Sequence, residues 1–323
     1  MSKQTLKVRT GTALFLLAFL AAPLFAQLPA QISNFASPAY WGMAHSGGAV
    51  AEVSTAYWLN PALSPYDRPY SLSLNEAFLP GTGITLTGLS GHYRIRGGHV
   101  LTTGLNFENY GSFEARDGDG IPEGEFTASQ YQFFLGYAYR ISERFAAGLQ
   151  LVLQGDRIDE SRENYTYLRY GFSYTFGARA NMLAFSGVTN GLDSRWRASF
   201  SHRLEYLPLR LNIDFRWYGD DLDPASFTDE ETGAFVFQSA ALYFAEKLTL
   251  GAYIEAGERL YLMAGIDLAR LNLRSNTFGL DTLLSGVALG GSYRFDSLEL
   301  SLALYHYANF TTMTALGISY SGK

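Results

Sequence analysis

Large and small side chains alternate through the middle of the chain. Tyr131, Phe133, Leu135, Tyr137 and Tyr139 are apolar or aromatic, and Gln132, Gly136, Ala138 and Arg140 between them are mostly small or polar. The alternation resumes at Phe145, Ala147, Leu149, Leu151 and Leu153. A period of two marks a strand with two unlike faces. From about Arg68 to the C-terminus it predicts strands at 68–77, 84–95, 99–108, 130–140, 145–154, 166–177, 182–189, 196–203, 208–218, 235–244, 248–256, 259–269, 285–295, 298–306 and 312–320. Single-chain bacterial barrels have an even number of strands, so the expectation is 14 or 16, with 14 preferred. The weakest parts of the pattern are 182–189 and the stretch between 270 and 284.

Two strands show which face meets water. In 208–218, Leu209, Leu211, Ile213, Phe215 and Trp217 alternate with Arg210, Asn212, Asp214 and Arg216. In 259–269, Leu260, Leu262, Ala264, Ile266 and Leu268 alternate with Arg259, Tyr261 and Asp267. An Arg facing lipid near the bilayer midplane costs ~2–4 kcal/mol. The charged face must therefore line a lumen, where Arg and Asp can pair across strands. Arg169, Arg197, Arg210, Asp214, Arg216 and Asp267 are the candidate lumen-facing charges. A soluble sandwich with one solvated face rarely needs so many strands of about ten residues. The fold class predicted is all-β: a transmembrane antiparallel β-barrel of about 14 strands.

Connection lengths predict the orientation. Long segments at 109–129, 155–165 and 218–234, the last crowded with Asp220, Asp221, Asp223, Asp229, Glu230 and Glu231, are expected as outer loops. Short segments at 142–144, 205–207 and 245–247 are expected as periplasmic turns, because outer-membrane barrels place short turns inside and long loops outside.

The N-terminus has a different character. Lys3, Lys7 and Arg9 precede the apolar run Ala13 to Ala22, and Ala26 precedes Gln27. Residues 1–26 read as a cleaved signal peptide, since the apolar run falls short of the ~20 residues a spanning helix needs. Residues 27–66 lack strand alternation but carry Tyr40-Trp41 and Tyr57-Trp58. Disordered tails are poor in aromatics, so this segment is expected as a plug inside or beneath a barrel formed by 67–323. In particular, residues from about 34 to 64 are expected in its periplasmic half.

Composition narrows the function. Aromatics at 15% and 33 glycines suit interfacial belts and a close-packed lumen. Loss of residues 1–26 would remove three positive charges and no acid, taking the net charge from −6 to −9. That acidity argues against a nucleic-acid partner. The absence of Cys excludes disulfides, thiolate metal sites and a lipidated N-terminal Cys.

No catalytic constellation stands out, and no enzyme or cofactor is expected. The five histidines, at 45, 92, 99, 202 and 306, form no HExxH or paired spacing. Gly88-Leu89-Ser90-Gly91-His92 brings its second Gly one residue too early for a nucleophile elbow. Gly81-Thr82-Gly83 opens no helix that could cradle phosphate. A calcium loop counted from Asp117 would need Gly and Glu where Pro122 and Ala128 stand, and no metal is assigned.

Two stretches carry a family resemblance. Ser46-Gly47-Gly48-Ala49-Val50 followed by Asn60, Pro61 and Ala62 resembles the N-terminal plug pattern of FadL-type barrels and their relatives in the type IX secretion system. Asn109, Tyr110, Gly111, Ser112 and Phe113, then Gly118 and Gly120, then Gly124, Glu125, Phe126, Thr127 and Ala128 resemble the loop signature of PorQ-like barrels of that system, more than the related PorV type. Leu204 to Leu209 is similar to a further PorQ-like element. The resemblance runs from about Asn34 to the C-terminus. It implies a FadL-like barrel in the bacterial outer membrane, surrounded by lipid and without catalysis of its own. Asn109, Tyr110, Gly111, Phe113, Gly124 and Phe126 would then lie in a region that docks other secretion and attachment proteins at the cell surface. The alternative is a FadL-type transporter taking a small hydrophobic ligand.

Overall fold

The computed structural model describes residues 35–53, 55–66, 68–116, 118–177, 181–190, 194–218, 243–270, 284–307 and 311–322. Helix α1 is Pro38–Gly42, and two 3-10 turns follow at Ala56–Trp58 and Pro61–Tyr66. The strands are β1 Tyr70–Leu79, β2 Ile84–Arg96, β3 His99–Arg116, β4 Pro122–Arg140, β5 Phe145–Ile158, β6 Ser161–Phe176 and β7 Asn181–Thr189. They continue as β8 Ser194–Arg203, β9 Leu209–Tyr218, β10 Leu248–Glu255, β11 Leu260–Asp267, β12 Val287–Phe295, β13 Leu298–His306 and β14 Thr312–Ser321. Each pairs antiparallel with its sequence neighbours, and β14 returns to β1, with Leu72 opposite Tyr320. Closure removes both sheet edges, which lipid would otherwise leave unsatisfied.

The alternation in the sequence becomes the two sides of the wall. Leu211 and Ile213 are 42% and 44% exposed on the outside, while Arg210, Asn212 and Asp214 are buried inside. The outer face also carries Leu74, Leu105, Phe133, Leu183, Leu250, Leu289 and Leu316. A strand of about ten residues tilted near 45° rises ~24 Å, which matches the lipid-facing band. Trp196 stacks on Trp217, and Tyr170, Phe185 and Phe215 continue an aromatic girdle on that side. Tyr and Trp favour such interfaces because an apolar ring can sit in lipid while its polar edge meets water.

The segment 182–189, weak in pattern, is strand β7, as expected. Several other expectations need correction. Among the described residues no strand lies between β9 and β10, which pair directly, and 243–245, the described end of the predicted strand 235–244, is a helical turn. The rest of that segment and the acidic 219–234 lie outside the described residues, as do residues 1–34. The short connection 245–247 therefore lies at the same end as the β3–β4 and β5–β6 connections, not with the turns at 142–144 and 205–207.

The segments 109–129 and 155–165 are largely strand. β3 and β4 pair out to Arg116 opposite Pro122, and β5 and β6 pair out to Ile158 opposite Ser161. Asp159, at φ 54, takes the left-handed position of the tight β5–β6 turn. Glycines and charges made these stretches read as loops. Cross-strand pairs such as Phe113 with Phe126 hold them as sheet.

Candidate functional site: the plugged lumen and the outer ribbon

Residues 35–66 pack inside the barrel. Pro38 opens α1, where its fixed φ suits a first helical turn and its missing N–H costs nothing. α1 lies against β11 to β14, with the Trp41 ring edge-on to Tyr305. The chain then turns sharply, with Ala44 and His45 both left-handed at φ 51 and 67. The turn at Pro61–Tyr66 packs across the barrel against β3 to β6. There Phe35 stacks on Trp58 at 4.0 Å, and Trp58 meets Phe134 edge-on at 4.6 Å.

Glycines in the wall let this segment approach. A Cβ on Gly148 would sit 2.6 Å from the Pro61 carbonyl carbon, and one on Gly265 would run into the main chain of Met43. Glycine is the residue that admits another backbone this close.

Asn60, Pro61 and Ala62 form the contact with β6. Asn60 Nδ2 donates to the Phe172 carbonyl of the wall and to the Gly48 carbonyl within the plug, both at 3.3 Å. Its Oδ1 accepts the Ala62 N–H at 3.0 Å. Pro61 fixes its own φ and leads the second 3-10 turn. The three residues thus tie two plug strands of chain to one wall strand.

The other side of the lumen is ionic. Asp214, fully buried, accepts the Gly48 N–H at 3.0 Å and lies 3.4 Å from Arg197. Arg210 pairs with Glu52 at 2.5 Å and donates to Ser201. Arg216 pairs with Asp267 at 2.7 Å, and His45 approaches the same carboxylate at 3.5 Å. Burial pushes the His45 imidazole down to about 4 against the pull of Asp267, so it is neutral at pH 7. Tyr40 and Tyr305 sandwich its ring at 4.5 and 4.7 Å.

Arg169 stands apart from these pairs. It donates to Gln150 and Gln132 at 3.0 and 3.2 Å within an amide network that continues through Gln154 and Tyr167. The structure thus joins Arg197 with Asp214 and Arg216 with Asp267, and gives Arg169 neutral partners.

Glu52 and His45 were not among the sequence candidates. The signal was present: each is the only residue of its kind between Gln27 and Tyr66. A lone carboxylate in an uncharged segment bound for an Arg-lined lumen implies an ion pair. Ser90 and His92 both point inward, but His92 is engaged by Ser71 Oγ at 2.7 Å and the Arg68 carbonyl at 2.8 Å.

Asn109, Tyr110 and Gly111 form a β-bulge. Asn109 Oδ1 accepts the Gly111 N–H at 3.0 Å, Gly111 has φ 84, and the Tyr110 hydroxyl donates to Glu108 at 2.7 Å. The register shifts there from Asn109 opposite Ser129 to Ser112 opposite Thr127. The extra residue brings Phe113 to the same face as Phe126, where the rings stack at 5.4 Å. Gly124, at φ 138, belongs to the returning strand.

Two interior cavities, one lined by Ser37, Thr55, Asn75, Ser292 and Ser319 and one within the plug, each measure about 10 Å³. Each has room for about one water. A groove of about 460 Å³ lies instead on the outer wall across β5 to β9, among Phe145, Phe172, Phe185, Phe200 and Phe215.

No family model matches the chain, and no curated protein matches it by sequence. Solved structures do match in fold. The Pseudomonas putida toluene transporter TodX superposes with a TM-score of 0.61 at 11% identity, over 92% of this chain and 99% of its own. The Ralstonia pickettii toluene transporter TbuX gives 0.57 at 10% identity, over 89% and 98%. A Pseudomonas aeruginosa FadL homologue gives 0.54 at 12%, over 90% and 99%. The chain is a closed 14-stranded β-barrel with an apolar outer face suited to lipid and with the fold of FadL-type barrels.

Proposed function

We propose that this barrel is a surface scaffold of the type IX secretion and attachment machinery, docking partner proteins through the sheet that rises above its outer rim. The observation that carries the reading is the coincidence of the Asn109–Phe126 signature with that raised sheet. The residues that resemble PorQ-like barrels build the bulge and the stacked Phe113–Phe126 ribbon, not a lumen feature. The interior is in keeping with that reading. Residues 35–66 pack inside it, and Gln132, Gln150, Gln154 and Arg169 line the neighbouring wall with polar groups that an apolar solute would have to desolvate.

A second reading is passage of a small hydrophobic compound. The fold likeness to TodX and TbuX, both toluene transporters, supports this reading more directly than the first. A deletion strain separates the two. The scaffold reading expects loss of exported surface proteins with toluene uptake unchanged. Lost uptake with intact surface display overturns it in favour of transport.

A further inference from the structure

The outermost part of β3 and β4 is a ribbon with an open edge. β2 pairs with β3 no further than Asn109, and β5 meets β4 no further out than Ala128. Beyond the bulge, Ser112–Arg116 pairs with Pro122–Thr127, and among the described residues no strand lies on the other edge of Ser112–Arg116. A free edge is a row of backbone donors and acceptors aligned for another strand.

The two faces of the ribbon are chemically distinct. Phe113 and Phe126 stack on one. On the other, Ser112 lies opposite Thr127 and Glu114 opposite Glu125. Glu114 and Arg116 are both about half exposed and pair at 2.7 Å, while Ser112 Oγ donates to Glu125 at 2.8 Å. Two carboxylates set directly across a strand pair repel one another.

We propose that the edge at Ser112–Arg116 receives an extended peptide strand of a partner protein, apolar on the phenylalanine side and basic on the glutamate side. The inference rests on the docking reading above and names its partner chemistry. Backbone pairing would supply affinity, Phe113 would seat an apolar side chain, and a Lys or Arg beside Glu114 would relieve the Glu114–Glu125 opposition. A second copy of this chain fits poorly. Antiparallel self-pairing centred on residue 114 would set two Glu114 carboxylates against each other.

The test uses the detergent-solubilised full chain and a fluorescent ten-residue probe of alternating Lys and Val, with a Glu and Val probe as control. The basic probe should bind and slow amide exchange at 112–116 while leaving β9 unchanged. The acidic probe should bind at least tenfold more weakly, and Glu114→Lys with Glu125→Lys should reverse the preference while the barrel keeps its heat-shifted gel migration. No protection at 112–116, equal binding of both probes, or probe-free dimers that protect 112–116 would overturn the proposal. The docking reading is tested separately by shortening 112–127 to an Asn-Gly turn in cells. Intact surface display in that strain, with the basic probe still binding the purified full chain, would keep the edge and remove the docking role.

Discussion

The plug meets two different walls. Against β3 to β6 it is held by shape: Pro61 against Gly148, Trp58 against Phe134, and Asn60 on the Phe172 carbonyl. Against β8 to β11 it is held by charged side chains: Asp214 on the Gly48 N–H and Arg210 on Glu52, with the neutral His45 ring beside Asp267. Packing is insensitive to pH and salt and intolerant of added volume. Buried ion pairs tolerate little loss of a partner, because the remaining charge is stranded in a low dielectric. The two walls should therefore fail under different stresses.

The largest effect should come from removing both sets of contacts at once. Deleting residues 34–64 should open the lumen, and planar-bilayer conductance should rise well above that of the intact chain. Unchanged conductance would mean that something other than the plug closes the barrel. On the ionic wall, Asp214→Ala strands Arg197 and the Gly48 N–H, and should cost about 3–5 kcal/mol in denaturant unfolding. On the packed wall, Gly148→Val drives a side chain into Pro61 and should cost about 1–3 kcal/mol, with no dependence on ionic strength.

The smallest expected effect is a response to pH. His45 titrates at about 4 in place and near 6.5 when solvated, so the displaced plug binds more protons between those values. Seating of the plug is then at full strength above pH 6.5 and weakens as pH falls toward 4. A drop from pH 7 to 5.5 should cost about 1 kcal/mol, read as a lower midpoint for plug release. His45→Phe should flatten that response, whereas Asn60→Ala should weaken the plug by about 1–2 kcal/mol equally at both pH values.

The wall itself was written in the sequence. Side-chain direction in a strand depends only on parity, so Leu211 and Ile213 had to face lipid once Arg210, Asn212 and Asp214 faced the lumen. A lipid bilayer enforces that division at every strand, and the barrel followed from local pattern; the pattern marked fifteen strands, and the even count of closed bacterial barrels brought the expectation to 14. Asn60-Pro61-Ala62 and the aromatic pairs also marked the N-terminal segment as something packed, since neither alternation nor disorder suited it.

Tertiary structure decided what parity cannot see. Whether Asn109–Ala128 is loop or sheet depends on pairing between Phe113 and Phe126, and a bulge at Gly111 sets which faces meet. Which arginine finds which acid depends on strands that lie side by side only after closure, so Arg169 drew amides while Arg210 drew Glu52 from the plug. A one-dimensional chain carries its own periodicity, but close approach between segments far apart in sequence exists only in the folded barrel.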